Sequence, residues 1–592
     1  MLRFITRFFA VIGFFATLSL VLSGVALYIQ ERAVEPPENI VLVLDFDQPI
    51  VERVESSPFD LAMHEESAPL LGILRAIDKA KSDPHVKGIV ARFGGAQPSL
   101  TQAQAIRAAL ARFRTSGKFT YAFASSYGGF GGGNRAYYLA SAFEQIWLQP
   151  VGAVGLSGLM LEAPFARTAL EKIGVKGDFL QREEYKSVMD VATQDGFTPP
   201  VRSMMQGMIE DFADQIASGI AESRKWDKAK VRQLMGDGPY TAEEALKAGL
   251  VTRIGYADEL NKELDKTAGK DAEHVSVETY LGYAHKAADK AKTHVALIYG
   301  TGLITDRDGG PAGLSGEHIM AADKLAEAFD NAASDSDIKA ILFRIDSPGG
   351  SPEASETIRR ALVHAQGKGK PVIVSMGDVA ASGGYWVAMN ADHIIAEAGT
   401  LTGSIGVVAG KFVLGGLMQK LGVSWDSLKT TENAGMFSVT EGFSPAQRAR
   451  MNALLDETYR TFVKNVSDAR KIPMDKMPAI AKGRVWTGAQ AVKIGLVDEL
   501  GGYDVALKAL RKKLNLDEKE PILFETFPAP LTPAEKALKL LKGFGIESAM
   551  IRAALSQWQV VQVSLGPLWS RAAGFDRPVM ARMPAFDAKS VR

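Results

Sequence analysis

The segment SDPHVKGIVAR at residues 82–92 returns as SDSDIKAILFR at residues 334–344, which is 252 positions later in the chain. A second pair follows in the same order, because TAEEALKAGLV at 241–251 matches TGAQAVKIGLV at 487–497, 246 positions later. This period is far above the roughly 20–50 residues of a solenoid repeat, so it indicates a duplicated domain. The sequence therefore predicts that one fold occurs twice.

Short apolar runs alternate with helical patterns inside each copy. In the second copy, strands are predicted at residues 294–299, 340–345 and 371–375, and helices at 321–333 and 353–366. Such alternation is typical of a mostly parallel sheet covered by helices, with functional groups in loops beyond the carboxyl ends of the strands. The predicted class is α/β, with a first domain at residues 39–290 and a second at 294–527.

Both ends of the chain lie outside the duplication. Residues 8–29 are uncharged and almost wholly apolar, close to the roughly 20 residues that a helix needs to cross a bilayer. Arg3 and Arg7 precede this stretch, so the positive-inside rule places the chain start in the cytoplasm and the bulk of the protein outside it. We expect residues 1–32 to form a cytoplasmic stub and an uncleaved transmembrane helix, because cleaved signals have apolar cores of only about 7–15 residues. Residues 528–592 form an extension of unknown role.

The charge balance and the absence of Cys exclude several classes of function. The 592 residues include 68 Lys+Arg and 68 Asp+Glu, so no net charge attracts nucleic acid phosphates, and we expect no nucleic acid partner. The chain has no Cys, which excludes thiolate nucleophiles and Cys-based metal sites. No motif implies a cofactor.

Two glycine-rich loops follow neighbouring predicted strands. In DSPGGS at residues 346–351, Gly349 and Gly350 allow backbone N–H groups to face outward, and the following helix adds its positive end. In AASGGYW at residues 380–386, a turn of small residues opens a helix, exposes Ser382 and offers the Gly383 N–H to the same developing oxyanion. Either loop alone is more often a plain glycine turn, but together they indicate acyl transfer.

A serine nucleophile needs a base, and the eight His residues offer few candidates. His393 opens an apolar run and is expected to be structural. A lysine is the remaining option, since burial can lower its pKa from roughly 10.4 toward 7–8, where the amine accepts a proton.

The duplication identifies one lysine. Aligning Gly174 with Gly422 sets Lys186 of the first copy against Ala434 of the second. Conversely, the turn around Ser382 falls on residues 127–134, YGGFGGGN, which contain no serine. The first copy has the lysine but no serine at the turn, and the second has the serine but no lysine. We therefore expect one composite site built from both copies.

The chain contains the motifs D-S-P-G-G at residues 346–350, A-S-G-G-Y-W at 381–386, T-G-S-I-G at 402–406 and E-Y-K-S at 184–187. Taken together, these four motifs resemble the signal peptide peptidase A family, also called protease IV, of the long bacterial type. The resemblance extends to about residue 527 and implies two tandem α/β domains of the Clp protease/crotonase superfamily.

The resemblance also implies a role for each site residue. Ser382 would be the nucleophile, Lys186 the general base and Ser404 the residue that orients the lysine, while the N–H of Gly383 and that of Gly349 or Gly350 would hold the oxyanion.

The same resemblance implies a serine endopeptidase of the bacterial inner membrane with its catalytic domains on the periplasmic side. Its partners would be cleaved signal peptides and other hydrophobic peptides, the lipid bilayer through residues 8–29, and further copies of itself in a homo-oligomer, as a homotetramer. Two alternatives stay open on the residues alone: an acyl-thioester enzyme that uses the same glycines without a serine nucleophile, and a catalytically inactive scaffold.

Overall fold

The computed structural model describes residues 36–53, 69–129, 132–283, 293–307, 319–518 and 520–529. In this part of the chain, helices cover two large and mainly parallel sheets, one from each copy of the duplicated sequence. The predicted α/β class and its tandem arrangement are confirmed.

The first repeat supplies nine strands and ten α-helices among the described residues. The strands are β1 (Ile40–Phe46), β2 (Val86–Phe93), β3 (Phe119–Ala124), β4 (Gln145–Leu148), β5 (Ala153–Val154), β6 (Lys176–Arg182), β7 (Tyr240–Thr241), β8 (Arg253–Ile254) and β9 (Glu273–Ser276). The helices are α1 (Leu70–Ser82), α2 (Leu100–Arg114), α3 (Asn134–Ala140), α4 (Arg167–Ile173), α5 (Asp190–Thr193), α6 (Pro199–Arg224), α7 (Lys228–Asp237), α8 (Ala242–Ala248), α9 (Ala257–Ala268) and α10 (Val277–Gly282). Six of the strands form a parallel sheet in the order β8-β4-β3-β2-β1-β9.

The second repeat supplies eleven strands and eight α-helices within the same described ranges. The strands are β10 (Thr293–Thr301), β11 (Leu303–Thr305), β12 (Ile319–Ala321), β13 (Ile338–Ser347), β14 (Val372–Ala381), β15 (His393–Ala396), β16 (Leu401–Gly403), β17 (Val407–Val413), β18 (Val485–Thr487), β19 (Glu499–Leu500) and β20 (Ile522–Phe527). The helices are α11 (Ala322–Ser334), α12 (Pro352–Gly367), α13 (Gly383–Ala388), α14 (Gly415–Lys420), α15 (Pro445–Arg470), α16 (Met477–Ile480), α17 (Gly488–Ala491) and α18 (Tyr503–Leu514), with 3-10 turns at Glu432–Gly435 and Val492–Ile494.

The second sheet has eight strands and carries both glycine-rich loops. Its main path is β18-β16-β14-β13-β10-β20, and β15 pairs with β14 and β19. All pairs are parallel except β16 with β18. β13 and β14 are buried almost throughout, which is why their sequences are near-continuous apolar runs. The loops after these two neighbouring strands therefore open at the same edge of the sheet.

The two repeats share an apolar core. One continuous cluster joins Ile77 and Leu110 of the first repeat to Leu342, Ile373 and Leu510 of the second. Helix α2 of the first repeat packs against β14 of the second. The strand that leads to Ser382 is therefore supported by both repeats.

A two-stranded ribbon also crosses between the repeats. β6 of the first repeat pairs antiparallel with β17 of the second, from Arg182 opposite Val407 to Lys176 opposite Val413. This ribbon leads the chain directly to Lys186, four residues after β6 ends.

The predicted transmembrane helix at residues 8–29 lies outside the described residues, as do all but the first two residues of the extension at 528–592. In the part of the chain that the structure describes, no helix is both long enough and apolar enough to cross a membrane.

Candidate active site

Ser382 lies at a strained turn between a strand and a helix. It follows the last residue of β14 and precedes α13, with φ +56° and ψ −119°. Non-glycine residues rarely adopt a positive φ, and such strain is concentrated at functional sites. The Ser382 N–H donates to the Gly403 carbonyl at 2.8 Å, and its own carbonyl accepts from Tyr385 N and Trp386 N. The turn is thereby held rigidly while its side chain is presented at the edge of the sheet.

Lys186 reaches this turn from the first repeat. Its Nζ lies 2.8 Å from Ser382 Oγ. The loop that carries it is tied to the second repeat, since Tyr185 N donates to the Lys482 carbonyl at 3.1 Å. Gly483 makes the close approach possible: it has φ +81°, and a Cβ there would lie 2.5–2.8 Å from Lys186 N, Cα and Cβ. The structure thus brings together the two residues that the repeat mismatch singled out.

The surroundings of Lys186 favour its neutral form. Only 6% of the residue is exposed, and burial lowers the pKa of the lysine to about 7. Its Nζ also lies 3.0 Å from both the carbonyl oxygen and Oγ of Ser404. A neutral amine has two N–H donors and one lone pair, so it can donate to both Ser404 oxygens while its lone pair faces the Ser382 hydroxyl.

Ser404 holds its oxygens in place through its own backbone. It has φ +51°, and its N–H donates to the Arg484 carbonyl at 2.8 Å. The preceding residue, Gly403, accepts the hydrogen bond from Ser382 N. One short segment therefore contacts both the serine and the lysine.

The glycine loops lie side by side at this turn. Gly349 has φ +106°, and a Cβ on it would lie 2.7 Å from Gly383 N. Its N–H donates to Ser347 Oγ at 3.2 Å. By contrast, the N–H groups of Gly350 and Gly383 have no hydrogen-bond acceptor among the described residues. A Cβ on Gly383 would lie 3.1 Å from Gly350 N, so these two donors are close neighbours next to Ser382.

His393 and Ala434 lie away from the site formed by Ser382, Lys186 and Ser404. His393 Nε2 lies 3.1 Å from Glu499 Oε2, on the neighbouring strand β19. Ala434, the counterpart of Lys186, lies in an exposed 3-10 turn. Within the described ranges, no group of three or more His, Asp or Glu side chains is arranged to hold a metal ion.

Gly483 was not predicted as a site residue. It packs against Lys186, although almost 300 residues separate the two in the sequence. The alignment contained a signal, because the offset of 246 sets Asp237 of the first repeat against Gly483. A glycine present only in the copy that packs on the lysine loop indicates a close approach specific to that copy.

Comparisons with known proteins agree with this geometry. Residues 112–271 and 364–517 match the model of peptidase family S49. The chain is 33% identical over 490 residues to "Protease 4" of Salmonella typhi, which covers 79% of this chain and 77% of that protein. It is 29% identical over 480 residues to "Serine protease SPPA, chloroplastic" of Arabidopsis thaliana, covering 80% of this chain and 69% of that one. A shorter relative, "Putative signal peptide peptidase SppA" of Enterococcus faecium, is 31% identical over 191 residues, 32% of this chain and 56% of that protein.

The match is not confined to one domain. The family model recognises a segment in each repeat, and the Salmonella relative aligns across most of both chains, which confirms the resemblance drawn from the motifs. The chain therefore belongs to peptidase family S49 and is a serine-type peptidase.

Proposed function

We propose that this chain is an endopeptidase in which Ser382 is the nucleophile and Lys186 the general base. The observation that carries the proposal is the 2.8 Å separation between Lys186 Nζ and Ser382 Oγ, combined with burial that lowers the pKa of the lysine to about 7. With this pKa about half of the molecules carry a neutral amine at pH 7. The neutral amine can take the hydroxyl proton, whereas a charged lysine cannot.

The reaction proceeds in two halves. Lys186 takes the proton from Ser382 Oγ as the oxygen bonds to the scissile carbonyl carbon, and the carbonyl electrons move onto its oxygen. The N–H groups of Gly350 and Gly383 stabilise this oxyanion, at roughly 3–4 kcal/mol per donor. The protonated lysine then gives its proton to the departing amine, and the C–N bond breaks to leave an acyl ester on Ser382. In the second half, Lys186 takes a proton from water as the water oxygen bonds to the ester carbon. The C–O bond to Ser382 then breaks, and Lys186 returns the proton to Ser382 Oγ, which releases the acid and restores both residues.

The proposed substrates are hydrophobic peptides, including cleaved signal peptides. Val188 and Val191 follow the lysine closely, and 61% and 42% of their respective surfaces are exposed. Exposed apolar side chains on the segment that carries the proposed base favour an apolar peptide. The name of the Enterococcus relative points to the same class of substrate.

A serine-directed acylating probe tests the dyad. We expect mass spectrometry to locate the adduct on Ser382 in the wild type, and no adduct there in Ser382→Ala. Ser126→Ala is the matched control, because Ser126 lies close to the equivalent turn of the first repeat and its Oγ donates to the Ala153 carbonyl. An adduct on another serine, together with peptide hydrolysis by Ser382→Ala, would contradict the proposal.

The proposed location is the bacterial inner membrane, with the catalytic domains on the periplasmic side. It is supported by the apolar stretch at residues 8–29, which follows Arg3 and Arg7. Deleting residues 1–32 should move the protein from the membrane fraction to the soluble fraction and leave peptide hydrolysis intact. A truncated protein that still sediments with membranes would contradict the anchor.

We also propose a homo-oligomer assembled head to tail by strand pairing. The ribbon of β6 and β17 uses one strand from each repeat. At the offset of 248, β17 corresponds to residues 159–165 of the first repeat, and β6 corresponds to residues 424–430 of the second. Neither segment pairs in a sheet within the described chain. Pairing these two segments between copies would repeat the ribbon at each junction.

The exposed side chains of the two segments support this assembly. Met160 on one segment is 79% exposed, and Trp425 and Leu428 on the other are 61% and 101% exposed. Large apolar side chains on an unpaired backbone mark an interaction surface. Because the two segments differ, the contact is heterologous, and such a contact forms a ring when the rotation between copies closes. The family resemblance implies a closed ring of four copies.

Chemical crosslinking of the detergent-solubilised full chain tests the assembly. We expect a ladder that ends at four copies in the wild type and is lost in Leu428→Asp. Leu246→Asp is the control, since Leu246 is also exposed but lies on α8. A wild type that yields only the single chain, or an undiminished ladder in Leu428→Asp, would contradict the proposed contact.

A further inference from the structure

Strand β14 bulges just before Ser382. Ile345 of β13 lies opposite Met376, but Ser347, two residues on, lies opposite Ala380, four residues on. Residues 377–379 of β14 therefore face Asp346 alone. A bulge bends its strand and redirects the side chains that follow, and bulges are frequent beside active sites. This one ends three residues before the nucleophile.

Asp346 fills the bulge. Its Oδ1 accepts the Val379 N–H at 2.9 Å. Gly377 leaves the space for it, since a Cβ on Gly377 would lie 3.0 Å from the Asp346 Cβ. At the other end of the bulge, Thr400 Oγ1 donates to the Gly377 carbonyl at 2.8 Å. Two backbone groups of the bulge, the Val379 N–H and the Gly377 carbonyl, are thus satisfied by side chains.

Asp378, at the middle of the bulge, is bonded to the first repeat. Its Oδ1 accepts a short hydrogen bond from Thr101 Oγ1. Thr101 is buried in the first turn of α2, whose start is fixed by a capping box between Ser99 and Gln102. The position of the bulge is therefore connected to a helix more than 270 residues away in sequence.

The charged groups around the bulge come from both repeats. Arg344 binds both carboxylate oxygens of Glu52, at 2.8 and 2.6 Å, and also binds Ser375 Oγ and the Met376 carbonyl. Burial, reinforced by the nearby carboxylates of Asp378 and Glu52, raises the pKa of Asp346 to about 7. Burial also raises the pKa of Asp378, although its bonds to Ser99 and Thr101 and the charge of Arg344 oppose this. An uncharged amide is therefore a close substitute for the Asp346 side chain at neutral pH.

We infer that Asp346 and Asp378 are positioning residues that hold the bulge in β14 and so aim Ser382 at Lys186, and that the bond from Thr101 makes this aim depend on the docked first repeat. The inference rests on the proposed Ser382/Lys186 mechanism. We expect the effect on kcat and not on KM, because the bulge ends three residues before the nucleophile, whereas Val188 and Val191, the proposed substrate contacts, lie on another segment.

Three variants of the full-length protein test the inference. Asp346→Ala removes the acceptor for Val379 N–H, so we expect kcat to fall on the order of 10–100-fold with KM little changed, as for a reacting group displaced by about 1 Å. Asp346→Asn keeps an acceptor oxygen and should return kcat to within about threefold of the wild type. Thr101→Val should lower kcat about 5–10-fold. Its matched control is Thr120→Val, which removes another buried hydroxyl of the first repeat, one that accepts from Glu144 N; its kcat should stay unchanged at a similar Tm.

The rate of Ser382 acylation by the serine-directed probe separates the possible failures. If the wild type is labelled at Ser382 but Asp346→Ala is labelled at the same rate, the positioning role is wrong. An Asp346→Asn protein that folds with a normal Tm yet loses as much kcat as the alanine variant would also overturn it, as would equal kcat values for Thr101→Val and Thr120→Val. If the wild type is not labelled at Ser382, the proposed mechanism itself has failed.

Discussion

Ser404→Asp offers the sharpest test of the proposed role of Lys186 as the general base. Ser404 Oγ and its carbonyl both lie 3.0 Å from Lys186 Nζ, and both are uncharged. Aspartate at this position places a carboxylate beside the amine. The backbone tolerates it, because Ser404 has φ +51°, a left-handed conformation that Asp and Asn adopt more readily than most residues.

The size of the effect follows from charge. An opposite charge within about 4–6 Å favours the charged form and shifts a pKa by roughly 1–3 units. Burial sets the pKa of Lys186 at about 7 in the wild type, so about half of the molecules carry a neutral amine at pH 7. A rise of roughly 2 units leaves about 1% neutral, so kcat/KM at pH 7 should fall about 50-fold and recover by about pH 9–10.

The assay is the pH dependence of kcat/KM with a fluorogenic apolar peptide. We expect the rising limb of the wild type near pH 7 and that of Ser404→Asp about 2 units higher. Ser404→Asn is the control, because it has a similar size but no charge, and its limb should stay near that of the wild type. If the aspartate and asparagine variants have superimposable profiles, the rising limb does not report Lys186, and another group takes the proton.

Three further changes follow from the same contacts. Lys186→Arg should lose nearly as much activity as Ser382→Ala, because a guanidinium stays protonated; turnover of peptide within tenfold of the wild type would exclude the lysine as base. The double variant Lys186→Arg/Ser382→Ala should lose little more activity than either single variant, since the two residues are expected to act as a unit. Gly483→Ala should also inactivate without changing the fold, because its Cβ would lie 2.5–2.8 Å from Lys186 atoms at φ +81°; probe labelling at the wild-type rate would refute this. Arg344→Met should lower the free energy of unfolding in urea by about 3–5 kcal/mol, since it leaves the buried Glu52 carboxylate without its partner; adding Glu52→Gln should restore much of the loss, and no restoration would show that the pair is not the cause.

The sequence was most informative where local pattern and duplication coincided. The repeated segments became β2 and β13, because near-continuous apolar runs suit strands that are buried on both faces. The predicted strand at 340–345 proved longer, at Ile338–Ser347, since ladder pairing extends past the apolar residues. The exchange of Lys186 for Ala434 between copies predicted proximity to Ser382, and the two side chains lie 2.8 Å apart. The differences between the two copies of the repeat were therefore enough to identify Lys186.

The features that the sequence did not predict depend on contacts between segments that are distant in the chain. No local pattern reveals that β6 pairs with β17 and not with a strand of its own repeat, because each has only the ordinary features of a short strand. The bulge at residues 377–379 is equally hidden, since Asp346 and Asp378 read as loop residues in the sequence. The ribbon joins segments more than 200 residues apart, and the bulge is bonded to Thr101, 277 residues from Asp378.

Docking of the two repeats and the proposed catalysis are coupled through Lys186. If the repeats separated, Lys186 would be solvated, and its pKa would return from about 7 toward its ordinary value of 10.5. The separated state therefore binds more protons between these values, and docking is opposed by about 1.4 kcal/mol for each pH unit below the ordinary pKa, reaching about 5 kcal/mol at pH 7 and not increasing much further below it. The shared apolar core, the Arg344–Glu52 pair and the Thr101–Asp378 bond offset this cost. The proposed base is therefore held neutral only in the docked chain, which is a physical reason to expect that neither repeat is active alone.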